Sequence, residues 1–310
     1  MQVVSSINEL DKAEFQRISI ACGNFDGLHL GHQKIIDRLL KFSSISNSVP
    51  VVLTFTPHPR YVLTGKRFPL LASMKTKVRL LERLGVKAVI NVDFTKAFAS
   101  QSAESFVEIV LQSAGIEVCD ICVGSDWRFG AGREGSVEFL KNGKWGFKIQ
   151  AVEELQDSIQ TISSSRIREA LLQNDFQKAA QMLGRDYSIS GDVVKGAGIA
   201  TSELKFPTAN VSAQQLCLPL AGVFACEVTI DEKEELIPAV CNIGSAPTFG
   251  ESEKVKVEVH LIDFDGNLYG KEVEVFFKDF IRLEKKFSSI DELKEQISED
   301  VATARKILID

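Results

Sequence analysis

Nowhere in its 310 residues does the sequence hold an apolar run approaching the roughly 20 residues that a membrane-crossing helix needs, so no membrane partner is expected. It also lacks a basic excess: 36 Lys and Arg stand against 42 Asp and Glu, a net charge of −6. A surface that neutralises a nucleic-acid backbone is therefore not expected, whereas a small polyphosphate needs only a local cradle of donors. The first ten residues lack a basic segment followed by an apolar one, so no secretory signal is read and the expected compartment is the cytoplasm. Cysteine is sparse, with six residues at 22, 119, 122, 217, 226 and 241, too scattered for a disulfide framework. Cys119 and Cys122 have the spacing of a redox or metal pair, but they sit in an apolar run with no second pair or nearby His, which reads as packed core thiols.

What remains is ordinary globular composition, 45% hydrophobic and 25% charged, in a chain long enough for two hydrophobic cores. In the first part, β-like runs (18–22, 50–55, 88–92, 118–123 and 147–152) alternate with segments of helical periodicity (31–42, 74–84, 103–114 and 136–142). That order predicts a doubly wound α/β domain with a parallel sheet. Two more helices, 165–173 and 175–183, follow, with Asn174-Asp175 as turn and N-cap. Beyond Gly184 alternation dominates. Strand-like runs at 187–195, 222–230, 237–243, 256–263 and 272–280 predict a mostly antiparallel β-barrel. A capping-box pattern at Ser289-Ile-Asp-Glu292 opens a C-terminal helix expected to bury Ile290, Leu293, Ile297, Val301, Ala304 and Leu308. The expected division is 1–184 and 185–310.

The segment Gly23-Asn24-Phe25-Asp26-Gly27-Leu28-His29-Leu30-Gly31-His32 follows the first strand and opens the first helix. Its glycines allow a turn and close approach of backbone to ligand, and a helix start offers free N–H groups to phosphate. His29 and His32, three apart, can share one side of a helical turn and donate to developing negative charge. Three of the four histidines fall between positions 29 and 58. Standing alone, the pair is also compatible with two surface histidines in a glycine-rich turn, or with a zinc site completed by Asp26.

Together with Thr54-Phe-Thr-Pro-His58-Pro59, Gly124-Ser-Asp126-Trp127-Arg128-Phe129-Gly130 and Ile162-Ser163-Ser164-Ser-Arg166-Ile-Arg168, this segment resembles the signature of the adenylyltransferase module of bacterial bifunctional riboflavin kinase/FAD synthetases. In the second part, Gly191–Gly198 (with Gly196), Phe206-Pro207-Thr208-Ala-Asn210, 242–249, Val257-Glu258-Val-His260 and Ile281-Arg282-Leu-Glu-Lys-Lys-Phe287 follow in the order seen in riboflavin kinases. The resemblance spans nearly the whole chain.

It implies a nucleotidyltransferase (Rossmann-like) domain, then a riboflavin kinase barrel. The implied substrates are ATP, riboflavin and FMN, the product is FAD, and Mg²⁺ is implied as cofactor. His29 and His32 would stabilise charge as FMN attacks the α-phosphate of ATP. Gly23, Asn24, Phe25, Asp26, Gly27, Gly31, His58, Ser163, Ser164, Arg166 and Arg168 would contribute to the nucleotide site, and Asp126, Trp127, Arg128 and Phe129 to the flavin side. Thr208 and Asn210 would hold Mg²⁺, Glu258 would be the general base for the riboflavin hydroxyl, and Gly196, Phe206, Pro207 and Arg282 would contact ligand. The chain departs from the usual pattern with Trp127 for Phe, Ser165 for Thr, and Lys205 for a glycine; Ala200 and Lys205 make the kinase loop less glycine-rich. The readings left open are an FAD synthetase with a degenerate kinase domain, another adenylyl- or cytidylyltransferase, and a flavin-binding sensor. A monomer or weak homo-oligomer is expected, with small-molecule partners only.

Overall fold

The computed structural model describes residues 1–112, 115–194, 207–213, 215–233, 235–246 and 254–309. By packing, the chain divides into two compact units, Met1–Phe68 with Met74–Ser163, and Pro69–Ser73 with Ser164–Asp310.

In the first unit the chain runs through β1 (Gln2–Val4), β2 (Arg17–Cys22), α1 (Leu30–Ile45), β3 (Val49–Thr56), α2 (Pro59–Thr64), α3 (Met74–Arg83), β4 (Ala88–Asp93), α4 (Lys96–Ala99) and α5 (Ala103–Val110). It continues through β5 (Glu117–Gly124), the small hairpin of β6 (Arg128–Phe129) and β7 (Gly135–Ser136), α6 (Val137–Asn142) and β8 (Lys148–Val152). Six strands form one parallel sheet in the order β1-β4-β3-β2-β5-β8. The strands read as near-continuous apolar runs because both faces are covered. Ile18, Ile20, Val51, Leu53, Ile90 and Ile121 pack with Phe106 and Val107 of α5 and Leu140 of α6. On the other face, Ala21, Val52, Val89 and Cys122 pack with Ile36 and Leu39 of α1 and Leu81 of α3. All six cysteines are free and buried, and burial, with Asp120 adding to it, pushes the Cys122 thiol up to about 12.

The order of strands matters for function. From β2 the chain builds outward to β3 and β4, then returns to β2's other side with β5 and β8. This reversal leaves a crevice at the carboxyl ends of β2 and β5, where ligands bind in open α/β sheets.

The second unit opens with α7 (Ser164–Leu172) and α8 (Phe176–Leu183), the latter capped by Asp175, whose side chain accepts from Lys178 N at 3.0 Å. Strands β9 (Ser188–Val194), β10 (Ala209–Val211), β11 (Gly222–Ile230), β12 (Ile237–Ala246), β13 (Lys254–Leu261) and β14 (Glu272–Arg282) close into an antiparallel barrel in the order β10-β13-β12-β11-β14-β9. Phe176 of α8 stacks on Phe277 at 5.5 Å and meets Phe224 edge-on at 5.7 Å, so α8 packs against the barrel by an aromatic plug.

Helix α9 (Ile290–Ile309) lies against the outside of β11 and β12, where Ala304, Val301 and Leu308 meet Val223, Ala225 and Val240. Ser289 Oγ accepts from Glu292 N at 3.2 Å, and Glu292 reaches back to Ser288 rather than to Ser289 N–H. Ile290, expected in the buried stripe, is 49% exposed, because the helix meets the barrel through its later turns.

Candidate functional site

The first constellation grows from the carboxyl end of β2. The turn 23–29 is held in an unusual backbone: Gly27 has φ 79°, and the non-glycine Phe25 and Leu28 have φ 49° and 42°. Left-handed conformations of such residues cost on the order of 1–3 kcal/mol each and persist only where surroundings enforce them. Here the enforcement is burial, since Phe25 is 0% and Leu28 2% exposed, both in the core beside α1.

His29 is the N-cap of α1, and its Nδ1 accepts from His32 N at 3.3 Å. When the ring is neutral, that bond places its proton on Nε2. The two imidazoles stack at 3.7 Å and 18°, with Phe25 edge-on to His32 at 5.3 Å. A Cβ on Gly31 would come within 3.1 Å of the His29 ring, so glycine there makes room for the stack. Burial first, then the charges of His29 and Lys77, hold His32 well below the usual imidazole range. Its Nδ1 and Asn24 Oδ1 are buried without hydrogen-bond partners, so both have capacity left for a water or a ligand. Asp26 is 3% exposed.

His58 caps α2 by accepting from Arg60 N at 3.1 Å, its ring 4.4 Å from Phe68. At the carboxyl end of β5, Trp127 stacks on Phe129 at 4.5 Å and meets Phe106 at 6.0 Å. Phe129 is buried between Trp127, Phe106 and Phe139, whereas Asp126 and Arg128 are exposed. Ser163 closes the first unit. Ser164, Arg166 and Arg168 lie on α7 in the second, where Arg168 Nε donates to Pro69 O at 2.8 Å.

The second constellation is a tier across the barrel. Asn210 on β10 is the register partner of Glu258 on β13, which is also the partner of Asn242 on β12. Directly paired residues place their Cβ atoms about 4.5–5.5 Å apart on one face. That face is the outer one, because Val257, Val259 and Leu261 alternate inward and are buried. The tier continues from Asn242 to Val223 and then Arg282. Thr208 precedes Asn210 by two residues, and Pro207 O accepts from His260 Nδ1 at 3.0 Å, tying this end of the Pro-Thr-Ala-Asn segment to β13. Gly196 and Phe206, with Ala200 and Lys205, lie outside the described residues.

Arg282 forms a fork to Asp300 of α9, Nε to Oδ1 at 2.8 Å and Nη2 to Oδ2 at 2.7 Å, and its Nη1 donates to Leu283 O. A direct ligand contact would therefore have to share donors with Asp300, whose side chain is 4% exposed. Arg282→Met is expected to cost about 3–5 kcal/mol by stranding that buried carboxylate, read as a lower urea midpoint. Arg282→Lys is expected to recover only part of it, because an ammonium does not make the fork.

Sequence reasoning passed over Lys77, and it quoted Asn242 and His260 within their motifs without giving either a role. Helical periodicity puts a lone lysine on the solvent face by default, and the other two gain meaning only from strand register.

Comparison with known proteins finds two family matches in order along the chain. The FAD synthetase family model matches residues 11–166 and the riboflavin kinase family model residues 183–308. The bifunctional riboflavin kinase/FMN adenylyltransferase of Escherichia coli K12 is 35% identical over 99% of this chain and 97% of its own. That of Haemophilus influenzae is 36% identical over 98% of both, and that of Buchnera aphidicola from Schizaphis graminum 35% over 99% and 98%. A crystal structure described as a macrolide-efflux protein from Streptococcus pneumoniae superposes with a TM-score of 0.83 at 28% identity, covering 98% of each chain. In this chain no helix among the described residues is long and apolar enough to cross a membrane. Two ordered family matches and full-length relatives above 30% identity place the chain in the bifunctional riboflavin kinase/FMN adenylyltransferase family.

Proposed function

We propose that the barrel phosphorylates riboflavin with ATP to FMN and that the α/β unit joins FMN to the adenylyl group of a second ATP, releasing pyrophosphate and forming FAD. The observation that carries this reading is the pair of polar constellations: the His29/His32 turn in the first unit, within the FAD synthetase match, and the Asn210/Glu258/Asn242 tier in the second, within the riboflavin kinase match. We assign 1–184 to the adenylyltransferase and 185–310 to the kinase, and place the enzyme in the cytoplasm.

In adenylyl transfer no covalent enzyme intermediate is needed. The phosphate of FMN attacks the α-phosphate while His29 and His32 donate to oxygens gaining charge, and the start of α1 supplies backbone N–H groups. Gly23, Asn24, Phe25, Asp26, Gly27 and Gly31 shape the cradle, His58 borders it, and Ser163, Ser164, Arg166 and Arg168 engage the triphosphate. Trp127 offers a face to the isoalloxazine, with Phe129 behind it and Asp126 and Arg128 at the rim.

In the kinase step Glu258 takes the proton of the riboflavin hydroxyl as it attacks the terminal phosphate. Asn210, the register partner of Glu258, and Thr208 two residues before it offer neutral oxygens, a donor set that fits Mg²⁺, which when bound would neutralise phosphate charge. Pro207, Gly196 and Phe206 are assigned ligand contact from the motifs that contain them.

Purified protein incubated with riboflavin, ATP and MgCl₂, with flavins resolved by chromatography, is expected to yield FMN and then FAD. Neither product would overturn the proposal. FAD from supplied FMN but not from riboflavin would mark a degenerate kinase, and flavin binding without ATP consumption a sensor.

A further inference from the structure

Lys77 is a charged residue buried in the first unit with no part in the mechanism above. It sits on α3, is 7% exposed, and points toward the sheet. Its ammonium donates to Asn24 O at 2.6 Å and to Thr54 Oγ1 at 3.2 Å, and Thr54 Oγ1 itself donates to Asn24 O at 3.1 Å. Thr54 is fully buried, so this triangle is shielded from water.

Taking an ammonium out of water costs several kcal/mol, and a leucine or methionine would fill the site without that cost. The position of the charge accounts for its retention. Asn24 O belongs to the turn 23–29, the stretch with left-handed Phe25 and Leu28, and no regular ladder holds that carbonyl. The charged and titratable groups coupled to this corner are Asp26 from the turn and His29 and His32 from the start of α1. Burial pushes the Lys77 ammonium down to about 8, and Asp26 opposes the fall, so the group is largely charged at neutral pH. Asn91, the register partner of Thr54 on β4, has a buried Oδ1 without a partner, as do Asn24 Oδ1 and His32 Nδ1. The polar atoms here are thus an anchored cation and an incompletely partnered shell around it.

We propose that Lys77 is a positioning residue for adenylyl transfer: its ammonium pins the carbonyl of Asn24, so fixing the turn that carries the histidines, and adds a buried positive charge to the polyphosphate end of the sheet. This rests on the assignment of adenylyl transfer to the first unit.

The test uses the full-length protein and compares FAD formation from FMN with FMN formation from riboflavin in the same preparation. Lys77→Met is expected to lower kcat for FAD formation by roughly a hundredfold, the scale of loss when a reacting group is misplaced by about 1 Å, with a smaller change in KM for ATP. FMN formation is expected to be unchanged. The His32 ring, followed by NMR, is expected to titrate at higher pH in Lys77→Met, because a repelling charge has gone, and the pH profile of FAD formation should move the same way. Lys77→Arg should recover part of the rate.

Unchanged FAD kinetics with an unmoved His32 titration would overturn the proposal. So would equal loss of both activities in a folded variant. Should Lys77→Met not fold, Thr54→Val decides: it removes one acceptor at nearly constant volume and is expected to reduce FAD formation about tenfold. An unaltered rate in that variant would sink the idea. If the unmodified protein forms no FAD from FMN, the assignment of adenylyl transfer fails instead, and the His32 titration in Lys77→Met still reports the electrostatic link.

Discussion

His32→Ala is expected to lower FAD formation from FMN by about 10²–10³-fold, the range seen when one preorganised donor to a developing negative charge is removed. FMN formation from riboflavin should persist, because the site proposed for it is the barrel tier. The size of the effect follows from where the ring is. It stacks on His29 at 3.7 Å, its backbone N–H is bonded to His29 Nδ1, and its own Nδ1 is buried without a partner. Such a ring has its orientation fixed before substrate arrives, so no reorganisation is needed at the moment of reaction. Equal loss of both activities in a folded protein would show that the ring holds structure rather than charge.

The same ring sets a pH dependence whose sign can be worked out. Burial, His29 and Lys77 all disfavour its charged form, so the free protein carries His32 neutral at pH 7. Bound triphosphate favours the charged form and raises the pKa again. ATP binding is therefore expected to take up a proton, and ATP affinity should rise as pH falls. Calorimetry in buffers of different ionisation enthalpy reads this uptake directly. Folding shows the opposite trend in the absence of ligand. The unfolded chain binds the His32 proton near 6.5 and the folded chain does not, so stability falls as pH drops below 6.5, and His32→Ala should flatten that part of the curve.

Much of this architecture was legible before the structure. The strand Gly222–Ile230 has the bounds that its sequence pattern and flanking turns predict. The parallel sheet followed from short apolar runs alternating with amphipathic helices. What escaped was non-local. Strand β1 is three residues long, and its pairing with β4 across more than 80 residues leaves no local pattern. Packing of Phe176 against Phe277 groups α7 and α8 with the barrel, a choice that amphipathicity does not reveal because either domain could cover their apolar faces. Motifs marked the turn at His29, but Lys77 became visible only when its ammonium was found on Asn24 O.

Glu258→Gln is expected to lower FMN formation from riboflavin by about 10²–10⁴-fold, the usual worth of a positioned general base, while FAD formation from supplied FMN continues. The argument begins with register. Val255 to Leu261 alternates, so any of Lys256, Glu258 and His260 could be merely the polar face of a strand. Pairing separates them: Glu258 alone lies opposite both Asn210 and Asn242, while Lys256 faces Gly244 and His260 faces Val240. A carboxylate flanked by two carboxamides has neutral neighbours that can orient it without neutralising it. Glutamine keeps the size of the side chain but does not accept a proton, so the loss should fall on kcat with little change in KM for riboflavin. Asn210→Ala should differ, weakening the use of Mg²⁺ and ATP and being partly relieved by higher metal concentration. If Glu258→Gln keeps its rate while Asn210→Ala loses it, the tier binds nucleotide and the base lies elsewhere. If both keep it, the outer face of β13 is not the kinase site.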